Sequence, residues 1–142
     1  MNTFLNTFTE TYKRIDKNNL SLLDDIYSAD IAFVDPAHRV EGLDNLHAYF
    51  TGLYDTINSI SFSFSHCIQT DDAGYIQWQM TFSHPRLNRG DTINLPGVSF
   101  IRFGPSNKVF FHQDFFDLGA MLYEHIPLLG GAIRRIKRRL AT

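Results

Sequence analysis

The stretch Ile26-Tyr27-Ser28-Ala29-Asp30-Ile31-Ala32-Phe33-Val34-Asp35-Pro36 ends a helix, enters a short apolar strand at Phe33-Val34, and delivers one carboxylate onto a proline-locked turn. Two readings of Asp35 follow. Before a proline, an aspartate commonly caps the turn by accepting backbone N–H groups. Set against Phe33 and Val34, it is equally a candidate proton carrier, because apolar surroundings disfavour a charged carboxylate and push its proton affinity toward the range of general acids and bases.

On the N-terminal side, Leu5, Phe8, Tyr12 and Ile15 fall three and four apart, which predicts an amphipathic helix with Tyr12 on its buried stripe. Asn18-Asn19 breaks it, and Leu20, Leu23 and Ile26 with Tyr27 predict a second helix. On the C-terminal side, Gly42 precedes a third helix with the stripe Leu43, Leu46, Phe50, Leu53 and Ile57. From Ile60 the period becomes two. Ile60, Phe62, Phe64, His66 and Ile68 alternate with serines and Cys67, and Asp71-Asp72-Ala73-Gly74 signals a hairpin turn. The next strand sets Ile76, Trp78, Met80 and Phe82 against Gln77, Gln79, Thr81 and Ser83. Pro85 to Gly90 reads as a loop, followed by strands from Val98 to Phe103 and Val109 to Phe116.

Helices followed by antiparallel strands predict an α+β domain in which a curved sheet wraps around three N-terminal helices. Such a sheet can enclose a cavity lined by Phe33, Phe50 and Trp78, rings that serve equally as ordinary core. His66, on the apolar face of its strand, is either core or cavity wall. The polar outer face is solvated or pairs with a second copy.

The chain has 142 residues, 44% of them hydrophobic, with thirteen Phe, six Tyr and one Trp: the size of one domain, with apolar surface enough for a core or an aromatic-lined cavity. The single cysteine, Cys67, excludes an intramolecular disulfide, and the N-terminus lacks the basic start and apolar run of a secretory signal, so a cytoplasmic location is expected. No apolar window reaches the roughly 18 residues of a membrane span.

The net charge is −2, yet five of 13 basic residues, Arg134, Arg135, Lys137, Arg138 and Arg139, crowd the C-terminus. The remaining acidic body argues against nucleic-acid binding. With Leu129, Ile133, Ile136 and Leu140 on one stripe, residues 118–142 read as a basic amphipathic extension of a domain spanning 1–117. Such a helix docks on its own domain or a partner, ends free, or makes peripheral contact with an anionic membrane.

Candidate chemistry rests on a few side chains. A buried phenol at Tyr12 can donate to a developing oxyanion while Asp35 moves a proton. In His112-Gln113-Asp114 the strand period puts His112 and Asp114 on one face, as a shared site or a satisfied pair. His38 lies close enough to Asp35 to serve as a donor at a cavity mouth. No closely spaced His pair or Cys/His cluster marks a metal site, and neither a P-loop nor a dinucleotide fingerprint appears.

Tyr27-Ser28-Ala29-Asp30 leading to Asp35-Pro36, the step Val40-Glu41-Gly42 and the closing strand together resemble the nuclear transport factor 2-like superfamily, in its SnoaL-like and ketosteroid-isomerase-like branch. The resemblance covers nearly the whole chain to about Asp117. It implies a cone-like fold, a general-base role for Asp35 and an oxyanion-hole role for Tyr12. The protonated acid of the isomerases falls near Ser99, which removes a strong donor and argues against steroid isomerisation. His112-Gln113-Asp114 is similar to the acid/base motif of SnoaL-like polyketide cyclases. The expectation is therefore cofactor-independent acid/base chemistry on a small hydrophobic carbonyl compound, in a homodimer, or else a non-catalytic binding module on the same fold.

Overall fold

The structure, a computed structural model, describes residues 4–121 and 129–141. Helix α1 (Phe4–Arg14) buries Leu5, Phe8 and Tyr12, the stripe its spacing predicts. The Asn18-Asn19 break is a cap: Asn19 Nδ2 donates to Arg14 O at 2.6 Å, and its Oδ1 accepts from Asp16 N. This satisfies backbone groups that the helix end leaves open. A 3-10 turn (Leu20–Leu22) and the one-turn α2 (Leu23–Ile26) lead into β1 (Tyr27–Val34), a short β2 (Arg39–Glu41) and α3 (Leu43–Thr56).

Four long strands follow: β3 (Ser59–Gln69), β4 (Ala73–Ser83), β5 (Ile93–Phe103) and β6 (Val109–Phe116), then α4 (Leu118–Met121) and α5 (Leu129–Ala141). They form one six-stranded sheet in the order β2-β1-β6-β5-β4-β3. Every neighbouring pair is antiparallel except β1 with β6, which run parallel. The curved sheet stays open and packs its concave face on α1 and α3, confirming the α+β architecture.

Three local readings change. Tyr27 begins a strand instead of ending a helix, because it pairs with Val109 of β6. β5 starts at Ile93, five residues before Val98, since Ile93 and Leu95 are buried opposite Phe82 and Met80, and the strand accommodates Pro96. In β3 the register shifts between Phe64 and His66, so that Phe64 faces Trp78 but His66 faces Gln77. This bulge turns His66 to the exposed side and overturns the placement of His66 in the core or the cavity wall.

The core joins α1, α2, α3 and the inner faces of β1, β4, β5 and β6. Trp78 crosses the sheet directly over Gly97, where a β-carbon would lie 2.2 Å from the indole. Only glycine admits that approach. Beyond β6, Lys137 of α5 ion-pairs with Asp117 and holds its carboxyl below the usual carboxylate range. The side chains of Leu129 and Ile133 lie outside the described set. No described helix is long and apolar enough to cross a membrane.

Candidate active site

The sheet and α3 enclose a cavity of about 210 Å³ walled mainly by rings and aliphatic side chains, among them Phe33, Phe50, Phe62, Ile76, Trp78 and Phe116. It opens between the turn after β1, the C-terminal end of α3 and the loop after β4, where Ala37, His38, Thr56 and Leu87 line it and reach the surface. Besides Tyr54, Thr56 and His84, its polar groups form two clusters.

The first lies in the wall. His112 and Asp114 share the inner face of β6, and the register sets Ser99 of β5 opposite Asp114. His112, 2% exposed, has Nε2 at 2.7 Å from Asp114 Oδ1 and Nδ1 at 2.7 Å from the Tyr27 hydroxyl. Ser99 donates to the same Asp114 Oδ1 at 2.5 Å and accepts from Trp78 Nε1 at 2.9 Å. Burial raises the pKa of Tyr12 and Tyr27 well above the usual tyrosine value, and the negative charge of Asp114 adds to both. Because a carboxylate only accepts, His112 donates to Asp114 from Nε2, which leaves Nδ1 of that tautomer to accept from the Tyr27 hydroxyl. Donors therefore run Tyr27, His112, Asp114 from one side and Trp78, Ser99, Asp114 from the other. Both lines end on one oxygen. Among the described residues nothing donates to Asp114 Oδ2.

The second cluster lies at the mouth. Asp35 does cap its turn: Oδ1 accepts from the N–H groups of Ala37 and His38, both at 2.8 Å. It also lines the cavity, with its side chain 9% exposed, so the two readings of this residue coexist. Oδ2 accepts from the Tyr49 hydroxyl at 2.8 Å, and the same hydroxyl lies 3.3 Å from His38 Nδ1. Burial, then the hydrogen bond to Asp35, then the charges of Asp35 and Asp114 keep the Tyr49 phenol protonated far above neutral pH.

The structure thus brings Asp35, Tyr12, Asp114, His112, Phe33, Phe50, Trp78 and Ser99 to one cavity, leaving His66 outside it. Tyr12 lines the wall, with its phenol kept protonated by burial. Sequence reasoning missed Tyr27 and Tyr49. Tyr49 follows Leu46 by three positions on the inward side of α3; Tyr27 starts the strand that carries Ile31 and Phe33 inward. Among the described residues, no group of three or more His, Cys, Asp or Glu is placed to hold a metal ion.

Comparison with known proteins agrees with this architecture. An NTF2-like protein of unknown function from Burkholderia pseudomallei superposes with a TM-score of 0.75 at 16% identity, over 86% of this chain and 96% of that one. A putative SnoaL-like polyketide cyclase from Shewanella putrefaciens gives 0.72 at 16% identity, over 85% and 94%. A protein of ketosteroid isomerase-like fold from Catenulispora acidiphila, crystallised with trimethylamine, gives 0.71 at 14% identity, over 84% and 88%. At these identities the likeness concerns the fold. No curated protein matches the sequence. The family model of the SnoaL-like domain matches residues 8–112, most of the chain. The protein belongs to the SnoaL-like domain family.

Proposed function

We propose that this protein binds a small, largely apolar carbonyl compound and moves protons on it without a cofactor. One observation carries the reading: two carboxylates, Asp35 and Asp114, open on a single apolar cavity from separate hydrogen-bond clusters. Carbonyl acid/base chemistry needs a positioned base near an enolisable carbon and a donor near the oxygen. Asp114 Oδ2 is the base, with Oδ1 held by His112 and Ser99. The C–H proton passes to Asp114 as electron density moves onto the carbonyl oxygen. Tyr49, still protonated, turns its hydroxyl from Asp35 Oδ2 to that oxygen; when the enolate collapses Asp114 returns a proton to carbon, and Asp35 keeps Tyr49 at the mouth. Tyr27 acts through His112 as a positioning residue. About 210 Å³ is below the roughly 300–1,000 Å³ of drug-sized sites, so the ligand has one or two rings.

The test is deuterium incorporation into an enolisable bicyclic ketone such as 2-tetralone, followed by NMR in heavy water. Asp114→Asn and Asp35→Asn are each expected to slow the protein-dependent exchange at least ~100-fold. Exchange that neither substitution affects rejects the catalytic reading. Ketone binding without exchange would favour the non-catalytic module.

We further infer pairing of two copies through the outer sheet face, where Ile68, Tyr75 and Phe115 are exposed and Phe100 packs 5.0 Å from Tyr75 and 6.1 Å from Phe111. Exposed aliphatic and aromatic side chains on one face mark an association surface. Light scattering should give a dimer that Tyr75→Glu with Phe115→Glu converts to monomer; a monomeric parent rejects the pairing.

A further inference from the structure

We propose that the protein sits on anionic membrane surfaces through α5, with the mouth of its cavity toward the lipid. The first support is the distribution of charge. Residues 1–117 hold eight Lys and Arg against fourteen Asp and Glu, whereas 118–142 hold five against one. An acidic body with one basic end is oriented by a negative surface, basic end inward.

The second support is the character of that end. Arg134, Arg135, Lys137, Arg138 and Arg139 are all exposed on α5. Ile136 and Leu140, one turn apart, are 57% and 83% exposed on the side opposite Arg134 and Arg138. Exposed aliphatics beside arginines fit a lipid interface, where the apolar groups enter the acyl boundary and the guanidinium groups meet phosphates. A nucleic acid offers the aliphatics nothing comparable.

The third support is position. Lys137 ties α5 to Asp117, which directly follows Phe116 of the cavity wall. By strand register, the loop after β4 lies at this same end of the sheet, and there exposed Arg86 and Arg89 flank Leu87, itself a cavity-lining residue. Basic groups and apolar opening therefore share one end. A water-poor compound partitions into bilayers, so a cavity opening on the interface takes its ligand from there. This last step rests on the apolar-ligand reading above; attachment to the membrane does not.

The experiment sediments the full chain with large vesicles of phosphatidylcholine, alone or mixed with phosphatidylglycerol. Binding is expected only with the anionic lipid and should weaken with salt. Changing Arg134, Arg135, Arg138 and Arg139 together to Ser should lower partitioning at least ~10-fold, and Ile136→Ser with Leu140→Ser should also weaken it. Arg135→Ser with Arg138→Ser, a milder pair, gives the same direction should the quadruple variant fold poorly. Equal binding to neutral vesicles, no effect of either substitution set, or binding to duplex DNA without vesicle binding overturns the proposal. For orientation, an environment-sensitive fluorophore is placed on Arg86→Cys in a Cys67→Ser background, or on native Cys67 near the far end of β3. The label at 86 should brighten on anionic vesicles and that at 67 should not; the reverse overturns the facing of the mouth. No cavity ligand enters these assays, so they fail or succeed independently of the exchange test.

Discussion

Asp114 accepts a hydrogen bond from His112, two residues earlier on the same strand, with the buried imidazole held from behind by Tyr27. Because the ring bridges two polar groups, its removal strands the Tyr27 hydroxyl and takes one of two donors from Asp114. His112→Phe is expected to lower stability by ~2–4 kcal/mol, measured by urea denaturation, since it leaves the buried Tyr27 hydroxyl without its acceptor and Asp114 with Ser99 as its one described donor. A change below ~1 kcal/mol would mean that the two neighbours find other partners.

Tyr27→Phe breaks the same line one step back. It removes the donor to His112 Nδ1, at an expected cost of ~1–3 kcal/mol. Combined with His112→Phe, the double variant should be less destabilised than the sum, because no phenol hydroxyl is then stranded beside the new ring; additive losses would disprove the coupling.

Gly97→Val drives its side chain into the Trp78 indole. The ring must move into the cavity, at an expected ~1–3 kcal/mol. Trp78 is the sole tryptophan, so its emission reports this movement directly. Unchanged emission and stability would show that the strand yields instead of the ring.

Buried phenols make the fold sensitive to alkali. Burial first and the charge of Asp16 second push the Tyr54 pKa up to about 12, against 10.0 when free. A pKa raised in the folded state means stability that is full below pH 10 and is lost as pH rises toward 12. Two units correspond to ~3 kcal/mol. Tyr12 and Tyr27 act in the same direction. Melting temperature should therefore fall steeply above pH 10, and less steeply in Tyr54→Phe; equal slopes would remove Tyr54 from the account.

Most of the architecture was legible because it depends on spacing. Leu5, Phe8 and Tyr12 at helical intervals, and Ile76, Trp78 and Phe82 at strand intervals, go where their periods send them. Asp35 and Asp114 were legible as carboxylates close to apolar or imidazole neighbours. His66 was misplaced because one extra residue in a strand inverts every following side chain, and nothing around Ser65 announces the bulge. Tyr49 and Tyr27 escaped notice because their roles depend on partners 14 and 85 positions away.

The parallel register of Tyr27 with Val109 has a consequence for assembly on the ribosome. The first strand must wait, its edge unsatisfied, until the last has been synthesised. Hairpins from Ser59 onward can form locally, but sealing the N-terminal third closes a long loop late, and with it the imidazole-phenol contact between positions 27 and 112. A nascent chain halted before Val109 therefore displays an adhesive strand edge and lacks the wall on which any chemistry depends.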